Sequence, residues 1–304
     1  MSYLSEIKVT VVAEDSVHYG SDLLGQHGMS FFVEARNDNS VMRVLFDLGQ
    51  NYQALKHNLT LLGISLQEID AIILSHSHRD HTNGLVEVIR DIGKENLPVI
   101  AHPDIFKTTF LVEPVLKYAG IRGKRTQWML ENSGASLFLS SEPVQLMPGL
   151  TTSGEIPFSL TDKNRSLPIF MLDKGKVIPD PINEEIALIA GIQGKGLLIL
   201  TGCGHPGIIK IIDKAVSLFP GEKVEVIMGG FHFAGLEKRK VQEIGEGLKK
   251  FAPSFILPGH CTGFEADLLL AEIFENSFKP VYSGTEIRVS EHAPTVIDQA
   301  KENK

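Results

Sequence analysis

The amino-acid sequence predicts an α/β protein in which buried strands alternate with amphipathic helices, and three features carry that expectation. Residues 186–190 and 197–200 are near-continuous apolar runs, the pattern of strands covered on both faces. Ile208, Ile211, Ile212, Ala215 and Phe219 then recur at helical spacing. Most informative, the apolar run Ala71-Ile72-Ile73-Leu74 ends in Ser75-His76-Ser77-His78-Arg79-Asp80-His81. A loop so rich in imidazole, at the end of a buried strand, points to chemistry.

In chain order, residues 7–13, 30–35 and 41–46 read as strands separated by turn residues such as Asn37-Asp38-Asn39. Phe46-Asp47-Leu48-Gly49 closes the third strand, and Leu55, Leu59 and Leu62 mark a helix. After strand 71–74 and its histidine loop, Leu85, Val86, Val88 and Ile89 suit another helix, and 98–101 a short strand ending at His102-Pro103. Residues 104–183 carry weak helical patterns and scattered prolines, and are expected to form an insertion or extended subregion packed near the site. Strands at 224–228 and 255–257 flank a helix bearing Val241, Ile244, Leu248 and Phe251. A helix at 266–274 and a strand at 287–289 finish the core. Residues 1–291 are expected as one domain, with 292–304 a loose polar tail.

Composition narrows the function classes. A hydrophobic fraction of 43% over 304 residues suffices for a sizeable core. The net charge of −8 argues against general nucleic-acid binding, which needs a basic footprint. No apolar run approaches the length of a membrane span, and residues 1–10 have no apolar leader core. Cys203 and Cys261 are too few for a disulfide framework, so a reducing cytoplasm is the expected location. The expected partner is a small-molecule substrate; the oligomeric state is left open.

His76, His78, Asp80 and His81 would repel and desolvate one another if they converged without a ligand. A divalent cation removes that conflict, because neutral imidazole and carboxylate are its natural donors. One or two ions are expected, zinc first, with manganese or iron as alternatives. Later segments place further donors where strands end: Thr201-Gly202-Cys203-Gly204-His205, Gly229-Gly230-Phe231-His232 and Pro258-Gly259-His260-Cys261. Gln26-His27-Gly28 precedes a strand. Ligands of open α/β folds gather beyond the carboxyl ends of strands, so these segments should meet at one edge. His27 and His232 are candidates to face or support the substrate, with an ordinary hydrogen-bonded histidine as the competing reading. His102 could approach the pocket or serve as a cap, and His18, His57 and His292 read as surface residues. The basic turn Arg122-Gly123-Lys124-Arg125 could hold a substrate phosphate or simply be solvated.

Phe46-Asp47-Leu48-Gly49, the His76–x–His78–x–Asp80-His81 loop and Pro258-Gly259-His260 resemble motifs of the metallo-β-lactamase superfamily. The Gln26–Ser30, Thr201–His205, Gly229–His232 and His260–Gly263 segments are similar to a subfamily named for 7,8-dihydropterin-6-yl-methyl-4-(β-D-ribofuranosyl)aminobenzene 5′-phosphate synthase. The resemblance implies a four-layer αββα sandwich. It implies His76, His78 and His205 as ligands of a first metal, and Asp80, His81 and His260 as ligands of a second. Asp47 would orient its neighbours by hydrogen bonds, and Asp80 and His232 would serve catalysis. The chain departs from the superfamily in two places. No histidine occurs between His102 and His205, although one usually stands just before the strand at 186–190, and Cys203 stands where a bridging aspartate is usual; Cys203 is therefore an additional candidate ligand.

Two adjacent cations suit metal-assisted hydrolysis of an ester, phosphoester or related bond, with Asp80 able to orient a water or take its proton. The subfamily resemblance implies an alternative, transfer of a dihydropterin from its pyrophosphate ester to an arylamine. A di-iron redox or sensor protein ranks third, since the usual bridging aspartate is missing.

Overall fold

Successive side chains of a strand point to opposite faces, and in this protein both faces are apolar. The computed structural model describes residues 3–38, 40–112, 114–121, 123–157, 169–292 and 294–298. Its strands, numbered along the chain, form three sheets. The first runs in spatial order β18 (Thr295–Asp298), β17 (Thr285–Val289), β1 (Glu6–Ala13), β2 (Ser30–Asn37), β3 (Ser40–Phe46), β4 (Ala71–Ile73), β5 (Leu97–Ala101) and β8 (Ala135–Leu139). The second runs β16 (Phe255–Gly259), β15 (Val224–Gly230), β14 (Gly196–Thr201), β13 (Leu188–Ile192), β10 (Leu150–Thr152) and β9 (Gln145–Met147). A small third sheet orders β12 (Lys176–Pro179), β11 (Ile169–Asp173), β6 (Thr109–Leu111) and β7 (Lys117–Tyr118).

The two large sheets face each other across one core. Phe31, Val33, Val44, Phe46, Ala71 and Ile73 of the first meet Leu188, Leu198, Leu200, Val226 and Leu257 of the second. The residues between them point outward. Phe32, Leu45 and Ile72 pack under α1 (Tyr52–Leu61) and α3 (Leu85–Ile92), through Leu55, Leu59, Val88 and Ile89. On the other side Ile189, Ile199, Ile227 and Ile256 pack under α5 (Ile208–Leu218), α6 (Lys238–Leu248) and α7 (Phe264–Phe274). The result is the expected αββα sandwich, and it explains why the central strands are apolar without alternation. Two short helices complete the set: α2 (Arg79–Thr82), directly within the histidine loop, and α4 (Gly123–Glu131). Among the described residues, no helix is long and apolar enough to cross a membrane.

Two segments differ from the sequence reading. Residues 104–183 are divided between core and periphery: β8 pairs in parallel with β5, β9 and β10 extend the second sheet, and the third sheet lies outside. Their strands are two to five residues long, too short for periodicity to register. The tail is not wholly loose, because β18 pairs antiparallel with β17 and places Val296 opposite Ile287. Val296 packs against the central core, which outweighs the polar composition around it.

A buried ionic cluster ties the third sheet to the sandwich. Lys107 Nζ contacts Asp180 Oδ1 at 2.6 Å and also Glu184, and Ser77 Oγ donates to Glu184 Oε1 at 2.8 Å. Both carboxylates are fully buried. Lys107→Met takes a cation away from two buried carboxylates, so it should destabilise the fold by about 3–5 kcal/mol in chemical denaturation.

Candidate metal centre

β14, β15 and β16 run parallel, as do β3, β4 and β5, so the carboxyl ends of each set lie together. β3 ends at Asp47, β4 at the 75–81 loop, β14 at the 202–205 loop, β15 just before His232 and β16 just before His260. The strand-end segments singled out in the sequence therefore gather at one edge of the sandwich.

His76, His78 and His205 form one donor group, and Asp80, His81, Cys203 and His260 a second; within each, the ligand atoms lie within 4.8 Å of one another. His76 Nε2 is 3.0 Å from His78 Nδ1, and the His205 ring stands 4.8 and 5.0 Å from those two rings. In the second group Asp80 Oδ2 is 3.3 Å from His260 Nε2 and 3.8 Å from His81 Nε2, and Cys203 Sγ is 3.2 Å from His81 Nε2. Donors about 2.0–2.1 Å from a tetrahedral zinc sit roughly 3.3 Å apart, which is the spacing found here. Buried His260 Nε2 makes no hydrogen bond despite its closeness to Asp80, and His78 Nε2 is also without a partner. Buried donors crowded this closely fit a cation between them.

The opposite nitrogen of the imidazoles is tethered. His81 Nδ1 lies 2.7 Å from Asp47 Oδ2, His260 Nδ1 lies 3.0 Å from Asp15 Oδ1, and His205 Nδ1 lies 2.5 Å from Glu185 Oε2. Ser75 Oγ donates to Asp47 Oδ2 at 2.5 Å and lies 2.8 Å from His76 Nδ1, extending the same tether to His76. A carboxylate can only accept, so each tethered Nδ1 carries a proton and Nε2 is the atom turned toward the other donors. Against the effect of burial, Asp47 and Asp80 raise His81, and Asp15 and Asp80 raise His260, so these two rings shed a proton when they bind a cation. Burial pushes His76 and His205 well below the ordinary imidazole range and His78 down to about 3. All three are thus neutral, the ligating form. Burial opposes ionisation of Asp80, yet His81 and His260 hold it well below the usual carboxylate range. Burial raises Cys203, so its thiol must shed a proton when it binds a cation.

Backbone geometry is specialised at the same places. Asp47, His232 and His260 have φ of 58°, 54° and 51°, left-handed values that non-glycine residues rarely adopt. Gly202 lets the end of β14 approach the Asp47–Ser75 pair, since a Cβ there would fall 2.1 Å from Ser75 Oγ. Gly28 (φ 109°) packs on the Asp80 carbonyl and brings His27 to the mouth of the pocket.

His27 has an exposed side chain, with Nδ1 3.2 Å from Asp15 Oδ2 and Nε2 3.5 Å from Asp80 Oδ2. His232 stacks 4.4 Å from the His205 ring, with a buried Nδ1 that has no hydrogen-bond partner. His102 is a cap: its Nδ1 accepts from Asp104 N at 3.1 Å. His57 and His292 are exposed, while His18 lies against Tyr282 at 4.1 Å. Arg122 and the side chains of 123–125, the suggested phosphate turn, lie outside the described residues. Sequence reasoning missed Asp15 and Glu185, and also Glu14, whose Oε1 accepts from His260 N at 2.8 Å. A signal was present: Glu14-Asp15 directly follows an apolar strand, and Glu184-Glu185 directly precedes one. Adjacent acids at the ends of buried strands need partners.

Comparison with known proteins gives the family and the fold. Residues 42–165 match the family described as "Beta-lactamase superfamily domain". The chain is 36% identical over 288 residues to the 7,8-dihydropterin-6-methyl-4-(beta-D-ribofuranosyl)-aminobenzene-5'-phosphate synthase of Methanocaldococcus jannaschii, covering 94% of this chain and 97% of that one. Tm1679, a metal-dependent hydrolase of the beta-lactamase superfamily, superposes with a TM-score of 0.76 at 23% identity, over 94% of this chain and all of that one. The metallo-beta-lactamase fold protein YhfI of Bacillus subtilis gives 0.56 at 15% identity, over 92% and 98% of the two chains.

His76→Ala and His260→Ala should each lower bound metal by about one equivalent, measured by elemental analysis after dialysis. A second expectation concerns Asp267, which burial and the nearby Glu14 charge raise to about 7. The folded form keeps this proton above the unfolded carboxyl range, so its contribution is full below about pH 4 and lost as pH rises through 7. Asp267→Asn should therefore gain Tm relative to wild type at pH 8 and lose that advantage at pH 4.

Proposed function

The chain belongs to the metallo-β-lactamase superfamily, and on that premise we propose that it is a metal-dependent hydrolase of an ester, phosphoester or related bond in a small molecule. The observation that carries this reading is the pair of donor groups sharing one pocket, with imidazoles tethered through Nδ1 on both sides. His76, His78 and His205 would hold one divalent cation; Asp80, His81, His260 and the Cys203 thiolate would hold the other. Zinc is favoured by this mixed nitrogen, oxygen and sulfur set, with manganese or iron as alternatives. When bound, such cations supply Lewis acidity to a carbonyl or phosphoryl oxygen and a nucleophile competent near neutral pH.

The chain's own residues do the rest. Asp80, ionised beside His81 and His260, is the acceptor for the nucleophile's proton. His27, at the mouth and fixed on Nδ1 by Asp15, presents Nε2 to the substrate. His232 lines the wall beside His205. Burial of the donor side chains limits bulk water to the open face.

A second reading is favoured by one observation, the 36% identity that runs nearly end to end with the M. jannaschii synthase. Transfer of a dihydropterin to an arylamine, with pyrophosphate leaving, uses the same donors, provided the amine outcompetes water. Metal-loaded protein assayed on phosphodiesters, lactones and a dihydropterin pyrophosphate, with and without arylamine, separates the two. Hydrolysis is expected, blocked by chelator and reduced roughly 100-fold or more in Asp80→Ala. Release of pyrophosphate that occurs only when the amine is present would overturn it in favour of transfer.

A further inference from the structure

Two consecutive glutamates sit shortly before β13 and reach in different directions. Glu185 lies in a nest of three successive backbone donors. Cys203 N donates to Oε1 at 3.0 Å, Gly204 N to Oε1 at 2.5 Å, and His205 N to Oε2 at 2.8 Å. The same Oε2 takes the His205 Nδ1 contact at 2.5 Å. Glu184 reaches the other ligand loop, accepting from Ser77 Oγ between His76 and His78, and is anchored by Lys107. Ile186 N donates to Ser75 O at 2.8 Å, adding a backbone link to that loop. Both glutamates are buried, at 0% and 1% exposure, so these bonds face little competition from water.

We propose that Glu184 and Glu185 form a positioning bracket that sets the distance between the His76–His78 loop and the 203–205 loop, and so builds the first cation position. The inference rests on the metal-centre reading above. Neither glutamate touches substrate; each acts through a loop that carries ligands. Glu185 fixes both the place of His205, through its backbone, and the tautomer of its ring. A glutamine cannot replace it, because one end of the amide would turn donor hydrogens toward N–H groups that need an acceptor. Glu184 carries the bracket outward through Lys107 and Asp180 to the third sheet, so the spacing of the histidines is braced from the periphery.

The test is a cobalt titration of wild-type protein, Glu185→Gln and Glu185→Asp, followed by the visible absorption of the bound ion, together with nitrogen NMR of histidine-labelled metal-free protein. In Glu185→Gln one of two equivalents should weaken about 10–100-fold with an altered spectrum, while the other equivalent stays tight. The His205 ring should shift from a single Nδ1–H tautomer to a mixture, and the metal-free variant should lose Tm, because the amide leaves buried N–H groups without an acceptor. Should Glu185→Gln fail to fold, Glu185→Asp keeps the charge but is one methylene too short to hold all four contacts, and should show the same selective weakening. Unchanged cobalt affinity and an unchanged His205 tautomer, or equal weakening of both equivalents, would overturn the bracket. A wild-type protein that binds no divalent cation would instead sink the metal-centre reading, and the tautomer measurement would still decide what Glu185 does.

Discussion

Imidazoles packed ring against ring in a dry pocket can coexist only if most are neutral and each knows which nitrogen bears its proton. Protonating several of them together would place like charges about 4–5 Å apart in a medium of low polarity, at a cost of several kcal/mol. Burial keeps His76, His78 and His205 neutral, and carboxylates set behind three of the rings fix the proton's place: Asp47 behind His81, Asp15 behind His260 and Glu185 behind His205. Each accepts an Nδ1 proton and turns Nε2 inward. The site is therefore layered, with these three acids behind the imidazoles and Asp80 and Cys203 among them.

The sandwich supplies the places for both layers. Its strand ends converge from two sheets, so donors separated by more than a hundred residues arrive on short loops with few free torsions. The apolar core between the sheets holds those loops at a fixed separation. Turns alone would leave them free to drift, and loss of about an ångström in a metal site costs affinity and selectivity. The ligand set is also unsymmetrical. A thiol, Cys203, stands between His81 on one side and His205 and His232 on the other. Sulfur favours softer, nitrogen-tolerant cations over calcium or magnesium.

Much of this was legible in the sequence because the strongest signals are local. The His76–Asp80–His81 loop directly follows its apolar strand, and the later donors sit in glycine-marked turns, so the residues that converge could be named without coordinates. The four-layer arrangement followed from the same motifs and from central strands apolar on both faces. The rest depended on contacts distant in the chain. Nothing near Glu185 announces that it will meet His205, and nothing near Asp15 announces His260, 245 residues away. The short strands of 104–183 draw their order from partners in other segments, so no periodicity betrays them. In β18, the apolar pair Val296-Ile297 was too brief a run to stand out from a polar terminus.

The left-handed backbone at Asp47, His232 and His260 has a thermodynamic corollary. Each such residue stores on the order of 1–3 kcal/mol that glycine would not incur, and the surrounding packing must hold it there. This fold is consequently less stable than its core could make it, with the deficit concentrated at the very edge where chemistry would occur. Variants selected only for heat resistance should drift toward relaxing these three positions, gaining hardiness as they blunt the catalyst.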